Sequence, residues 1–198
     1  MKKVLLVVAL ACAGIANAQK GTVLVQGSVQ FDHSKNSGNG YENKSTTSTL
    51  SPQVGYQFND HWTAGILATF GFSKSTSTTE PESSESKTTE IDPGVFLRYT
   101  KKLNETFSVY GELESGYTYL KSTNNNMDGI DSVDFTSQSN GYFIQVNPAI
   151  YLNVWKNLGV NFNIGGISYG SSKNDDNKRS GLDITFGRVL GIGISKNF

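Results

Sequence analysis

The chain of 198 residues predicts an all-β fold: a closed antiparallel barrel of eight strands, in up-and-down order, that crosses a membrane. Three observations predict it. From Thr22 onward apolar and polar residues alternate with period two, segment after segment, as strands with two unlike faces require. The apolar face carries almost no charge, Arg188 and Lys196 being the clear exceptions, while the opposite face is rich in Ser, Thr, Asn, Gln and Gly. Short connections alternate along the chain with long polar ones. Alternation alone fits a soluble sandwich, but an uncharged outer face around a polar interior is what lipid outside and water inside demand.

The strands follow in order. In the first, Val23, Val25, Val29 and Phe31 share the apolar face, and Gln26, Ser28, Gln30 and Asp32 the polar one. The second sets Leu50, Pro52, Val54, Tyr56 and Phe58 against Thr49, Ser51, Gln53 and Gln57. The third sets Trp62, Ala64, Ile66, Ala68, Phe70 and Phe72 against Thr63, Gly65, Thr69, Gly71 and Ser73. The fourth sets Ile91, Pro93, Val95, Leu97 and Tyr99 against Glu90, Asp92, Gly94 and Arg98. Phe107, Val109, Leu113, Tyr117 and Tyr119 form the apolar face of the fifth, opposite Ser108, Glu112, Glu114 and Thr118. The sixth carries Tyr142, Ile144, Val146, Pro148, Ile150, Leu152 and Val154 opposite Gln145, Asn147 and Asn153. The seventh runs Leu158, Val160, Phe162 and Ile164, and a bulge at Gly165-Gly166 returns Ile167 and Tyr169 to the same face. The eighth carries Leu182, Ile184, Phe186, Leu190, Ile192 and Ile194.

The first eighteen residues stand outside this pattern. Lys2 and Lys3 precede the apolar run Val4 to Ala11, and Ala16-Asn17-Ala18 supplies a small-x-small cleavage site, so residues 1–18 read as a signal peptide cut after Ala18. Residues 19–198 form the barrel domain. The apolar run falls far short of the roughly 20 residues of a membrane-crossing helix. Cys12, the only cysteine, sits in a poor lipoprotein box, Ala9-Leu10-Ala11-Cys12, with Leu one place too close. Without the leader no cysteine remains, so disulfides contribute nothing. Losing Lys2 and Lys3 from 17 basic residues leaves 15 against 17 acidic ones, a net charge of −2 that argues against a nucleic-acid partner.

Aromatic residues fall at both strand ends. Phe58, Trp62, Tyr99, Phe107 and Trp155 lie beside the short connections 58–61, 100–106 and 154–157. Phe31, Phe70, Phe72, Tyr117, Tyr119, Tyr142 and Tyr169 lie beside the long ones, roughly 34–45, 74–89, 121–140 and 170–180. Two such girdles mark two lipid–water interfaces, with long loops outside the cell and short turns inside. A frame of apolar-x-Pro-x-apolar recurs at Pro52, Pro93 and Pro148, on strands where a proline forfeits a ladder bond.

With its leader, the stretch Pro52 to Tyr56, the turn Asn59-Asp60-His61-Trp62 and the terminal Phe198, the mature chain resembles the small eight-stranded outer-membrane barrels of the OmpA/OmpX type. The resemblance implies residence in the outer membrane of a Gram-negative bacterium, with outer-membrane lipid as surroundings. It also implies that Leu190, Ile192, Ile194 and Phe198 form the C-terminal address read by the barrel-assembly machinery. Lys196 departs from the apolar residue expected there, although its stem could snorkel to the interface. Members range from structural anchors and adhesins to a few lipid-modifying enzymes, so fold does not give activity.

Chemistry is sparse. His61 reads as a solvated turn residue. His33 sits at a strand end, but Asp32 beside it points to the other face and cannot orient it as a base. Asn124 to Gly129 partly matches a calcium loop, yet Phe135 stands where a bidentate Glu belongs. The stretch 73–90 lacks the apolar residues of a packed core and reads as a mobile surface loop. Neither a cofactor nor a metal is implied. The residues singled out are luminal charges: Arg98, facing the same way as Glu112 and Glu114, with Glu90 and Asp92 nearer the outer rim. A paired network is the expectation, since buried charges require partners. The chain is therefore expected to be a non-enzymatic barrel that maintains the membrane or presents its loops, with the extracellular partner unspecified. A narrow passive channel is the alternative, because inward Gly55, Gly65, Gly71, Gly94 and Gly116 leave room for water. A lipid-modifying enzyme is more remote.

Overall fold

The computed structural model describes residues 21–79, 82–128, 131–156, 158–174 and 177–197. The cleavage site at Ala18 and the terminal Phe198 lie outside them, as do the side chains of Leu190 and Ile192. The strands are β1 (Thr22–Gly38), β2 (Tyr41–Gln57), β3 (Trp62–Thr79), β4 (Glu82–Lys102), β5 (Phe107–Asp128), β6 (Asp131–Trp155), β7 (Leu158–Asn174) and β8 (Asn177–Asn197). Each pairs antiparallel with its chain neighbours, and β1 with β8 closes the barrel. The architecture is the one the alternation requires. Val29, Ile66, Val95, Val154 and Ile184 stand exposed on the outside, where a bilayer would cover them.

The long connections differ from expectation. Most of 34–45, 74–89, 121–140 and 170–180 is strand, not loop, and the calcium-like Asn124 to Asp128 belongs to β5. Strands of 17 to 25 residues far exceed the roughly 9–11 that cross a bilayer, so the hairpins continue as sheet past Phe31, Phe72 and Tyr117. No hydrophobic pattern marks these extensions. Polar pairs across the ladder hold them: Thr47 with Ser73 (3.1 Å), Thr88 with Ser122 (2.6 Å) and Ser137 with Asn174 (2.5 Å), each a modest cross-strand contribution. Glu42 lies between Lys35 (2.7 Å) and Lys44, and Glu85 between Lys74 (2.6 Å) and Lys87 (2.5 Å). Hydrogen bonds from Lys35 and then Lys44 lower the Glu42 carboxyl to about 2. Those from Lys74 and Lys87 likewise hold Glu85 below its ordinary value. Both pairings are complete above the usual carboxylate range and lost as pH falls through the lowered values. Being exposed, they contribute little to stability.

The turns follow local chemistry. Asn39-Gly40 joins Gly38 to Tyr41 in a two-residue hairpin, with Gly40 at φ +81°, the positive φ at the second central position that glycine adopts without steric cost. On the other side, Asn59 Oδ1 accepts from the backbone N–H groups of His61 and Trp62, both at 2.9 Å. Asn104 Oδ1 does the same for Thr106 and Phe107. These side chains replace the backbone partners that a tight turn removes.

Pro52, Pro93 and Pro148 each interrupt one ladder. The pairing of β2 with β3 skips Ser51 and Pro52, that of β4 with β5 skips Asp92 and Pro93, and that of β6 with β7 shifts between Val146 and Ala149. The missing N–H always faces the next hairpin. At the first gap a side-chain bond from Ser51 to Thr69 (3.1 Å) spans the break. The β7–β8 ladder also shifts, from Asn163↔Gly191 to Gly165↔Phe186, with Gly165 at φ +105°. The bulge at Gly165 returns Ile167 and Tyr169 to the exposed face.

The core is inside the lumen. Leu24, Leu67 and Phe96 are buried there, packed with Phe143. All four hold inward positions and are flanked by outward apolar residues. The inward glycines serve them. A Cβ on Gly55 or Gly65 would come within 2.7 Å of the Phe96 ring, and one on Gly116 within 2.8 Å of the Phe143 ring. The space left by the missing side chains at these three glycines is taken by aromatic rings, not water, which removes much of the support for an open channel.

Candidate functional site

The luminal charges occupy two levels. Arg98 and Glu112 are directly opposed across β4 and β5, and both are almost fully buried. Arg98 Nε donates to Glu112 Oε2 at 2.6 Å, and Nη2 approaches the same oxygen at 2.5 Å. Nη2 also reaches Gln26 Oε1 (2.9 Å) on β1 and Gln53 Oε1 (3.3 Å) on β2, while Gln53 Nε2 donates to Glu112 Oε1 at 3.2 Å. The guanidinium lies 4.0 Å from the Tyr110 ring centroid and 5.6 Å from that of Phe96. One cation thus ties four strands together across the bore, using the planar fork that distinguishes Arg from Lys.

The other charges stand apart from this arginine. Glu114 accepts from Gln145 Nε2 (2.7 Å) and Asn147 Nδ2 (2.8 Å). Glu90 and Asp92 lie against each other nearer the outer rim, with Thr118 beside Asp92. Asp92 Oδ1 is buried with no hydrogen-bond partner among the described residues. The five expected residues therefore form an ion pair whose Glu112 abuts the amide-bound carboxyl of Glu114, and a separate acidic pair. Alternation identified the face but not this division.

Above the arginine lies a cavity of about 510 Å³, lined by Gln30, Thr49, Glu114, Asn147, Asp183 and others. Below it is a pocket of only about 50 Å³ that touches Leu24, Thr63 and Ser195. Arg98 lines the lower space and Glu112 the upper, with Tyr110 reaching both. Tyr110, Leu24, Leu67, Phe96 and Phe143 were not singled out from sequence. The signal for the last four was three consecutive apolar residues, such as Val95-Phe96-Leu97, where a two-faced strand permits only two; Tyr110, between Val109 and Gly111, lacks it.

The aromatic residues expected at the two interfaces sit at both ends of the outer surface. Phe58, Trp62, Tyr99, Phe107 and Trp155 are exposed near the short turns, and Phe72, Tyr117, Tyr142 and Tyr169 at the outer level; Phe70 and Tyr119 are partly covered. Tyr99 is wedged between His61, stacked at 5.5 Å, and Trp62 at 5.1 Å. His33 pairs only with Thr46 (2.9 Å), and Ile194 points outward. Among the described residues no cluster suits a metal ion.

A strand barrel closed on itself, apolar outside and polar within, defines an integral protein of the bacterial outer membrane. The chain belongs to the family described as outer membrane protein beta-barrel domain, whose model matches residues 4–198. No curated protein sequence matches it. Among solved structures it is similar to a major outer membrane protein from Thermus thermophilus, at 13% identity and TM-score 0.50, covering 91% of this chain and 100% of that one. It is also similar to Ail, the attachment invasion locus protein of Yersinia pestis (19% identity, TM-score 0.37, 90% and 97% covered). Neisserial surface protein A gives 17% identity and TM-score 0.35, with 89% and 97% covered. These likenesses concern the fold.

Proposed function

We propose that this protein is a non-enzymatic, non-conducting barrel whose role is carried by the sheet walls it raises outside the cell. The observation that supports this is the layer of Arg98, Glu112, Gln26, Gln53 and Tyr110 across the bore, with a pocket of about 50 Å³ beneath it. An eight-stranded bore is narrow enough for side chains to fill. The hairpin extensions, lined with Ser, Thr, Asn and paired Lys and Glu, offer hydrogen-bonding groups to an outside partner. In this proposal residues 1–18 are removed after Ala18, and Leu190, Ile192, Ile194 and Phe198 address the chain to the assembly machinery.

Single-channel recording on reconstituted protein is expected to show no resolved conductance steps; regular steps from the wild-type chain would replace this proposal with the channel. A second measurement concerns orientation. Cysteines introduced at Ser37 or Thr76 should react on intact cells with a membrane-impermeant maleimide, and one at Asp60 only after lysis. The opposite pattern would place the sheet walls in the periplasm.

A further inference from the structure

The barrel is zipped unequally. β1 and β8 pair only from Leu24↔Asn197 to Ser28↔Gly193, whereas β1 pairs with β2 along its whole length. Among the described residues, no pair joins Val29–Gly38 to β8. Both faces of these edges are bare: every residue from Val29 to Gly38 on β1 and from Asn177 to Ile184 on β8 is exposed, while inward Thr47, Thr49 and Ser51 on β2 are half-covered. The cause is the β7–β8 slip, which sets residues 187–190 of β8 against Ile164 alone, with Gly187 at φ +72°. A bulge of this kind bends its strand and ends pairing, and this one lies just above the last β1–β8 pair.

The gap opens at the level of the outer aromatics and just below them. Val29 stands two residues below Phe31 and pairs with Leu50, and Leu182 and Ile184 pair with outward Tyr169 and Ile167. Free backbone edges survive there only where they line a water-filled space. The luminal cavity meets that condition, since its lining includes Gln30 on one side of the gap, Asp183 and Thr185 on the other, and the last closed pair, Ser28 and Gly193, at its foot. Here, polar lumen and lipid adjoin without a wall between them.

We propose that the gap between β1 and β8 is a lateral port, through which an amphiphile with an uncharged, hydroxyl-rich head enters the luminal cavity from the outer leaflet. The head would bond to the hydroxyls and amides of Ser28, Gln30, Thr49 and Asn147, in a cavity within the roughly 300–1,000 Å³ of small-ligand sites. Its alkyl chain would remain between Val29 and Phe31 on one side and Ile184 and Phe186 on the other. The acidic side chains on the cavity, Glu112, Glu114 and Asp183, disfavour an anionic head. Arg98 is already committed to Glu112.

The test uses the mature chain in nanodiscs, with bimane on single cysteines at Gln30, Thr185 or Thr69, all three of which line the cavity. The quenchers are 11-bromoundecyl glucoside and 11-bromoundecyl sulfate. The glucoside is expected to quench at Gln30→Cys and Thr185→Cys saturably, and more deeply than at Thr69→Cys. The sulfate should act at least about tenfold more weakly, as like-charge juxtaposition predicts. Linear, unsaturated quenching that is equal for the two heads would show partition into the bilayer only and overturn the proposal. So would absence of quenching, whether or not Phe31→Cys forms disulfides between chains; such disulfides would identify a second copy as what covers the edges. Heat-dependent gel mobility checks that each variant is folded.

Discussion

Replacing Arg98 with alanine is expected to lower the unfolding free energy by about 3–5 kcal/mol, the cost of breaking a buried pair by removing one partner. The variant strands Glu112, left with the amide of Gln53 at 3.2 Å and the neighbouring carboxyl of Glu114, and frees the oxygens of Gln26 and Gln53. Urea titration in lipid vesicles, followed by gel mobility without boiling, measures the loss. Arg98→Ala with Glu112→Gln should recover much of it, because the uncompensated charge is gone. Arg98→Lys should recover less, lacking the fork that serves β1, β2 and β5 together. A loss nearer the roughly 0–1 kcal/mol of an exposed pair would mean that water screens this level of the bore. If the same variant conducts, the layer is a gate.

The second large effect concerns glycines. Gly65→Ala is expected to destabilise the barrel by about 3 kcal/mol, the upper end of overpacking penalties, because its Cβ would lie 2.2 Å from the Val54 carbonyl oxygen as well as 2.7 Å from Phe96. Gly55→Ala meets chiefly the Phe96 ring at 2.7 Å and Thr63 Cγ2 at 3.0 Å. Adding Phe96→Ala should therefore relieve Gly55→Ala and leave Gly65→Ala largely unrelieved, in a double-mutant cycle on the same urea titration. Equal relief at both positions would mean that the ring, not the neighbouring backbone, sets the limit.

Strand number, strand order and facing were legible because a two-residue period with lipid on one side leaves few alternatives. Lumen packing was less legible. Leu24, Leu67, Phe96 and Phe143 interrupt the polar alternation, and an apolar residue among apolar neighbours carries no sign of which way it points. The inward glycines suggested space, since a sequence shows a missing side chain but not the ring from another strand that fills it. The extensions above the membrane were hidden for the opposite reason. Thr47, Ser73, Thr88 and Ser122 pair polar with polar, so no hydrophobic contrast betrays the period. Asn39-Gly40, a dipeptide typical of tight hairpins, lies unread inside the stretch 34–45, expected as a long connection. Arg98 and Glu112 were marked as sharing a face, but their register needed the fold.

Pro52, Pro93 and Pro148, seen beside the ladders, divide the molecule along one grain. Within the hairpins β1–β2, β3–β4 and β5–β6 the pairing runs unbroken. Between hairpins it is interrupted at Pro52, Pro93 and Pro148, or ends after Ser28. Cooperative opening units tend to coincide with such supersecondary pieces. Amide exchange should accordingly be fastest along the joints, beginning with the outer edge of β1, and slowest in the middle of β5–β6. The barrel would then breathe as a ring of hinged staves, which lets one joint part while the other hairpins keep their grip on the bilayer.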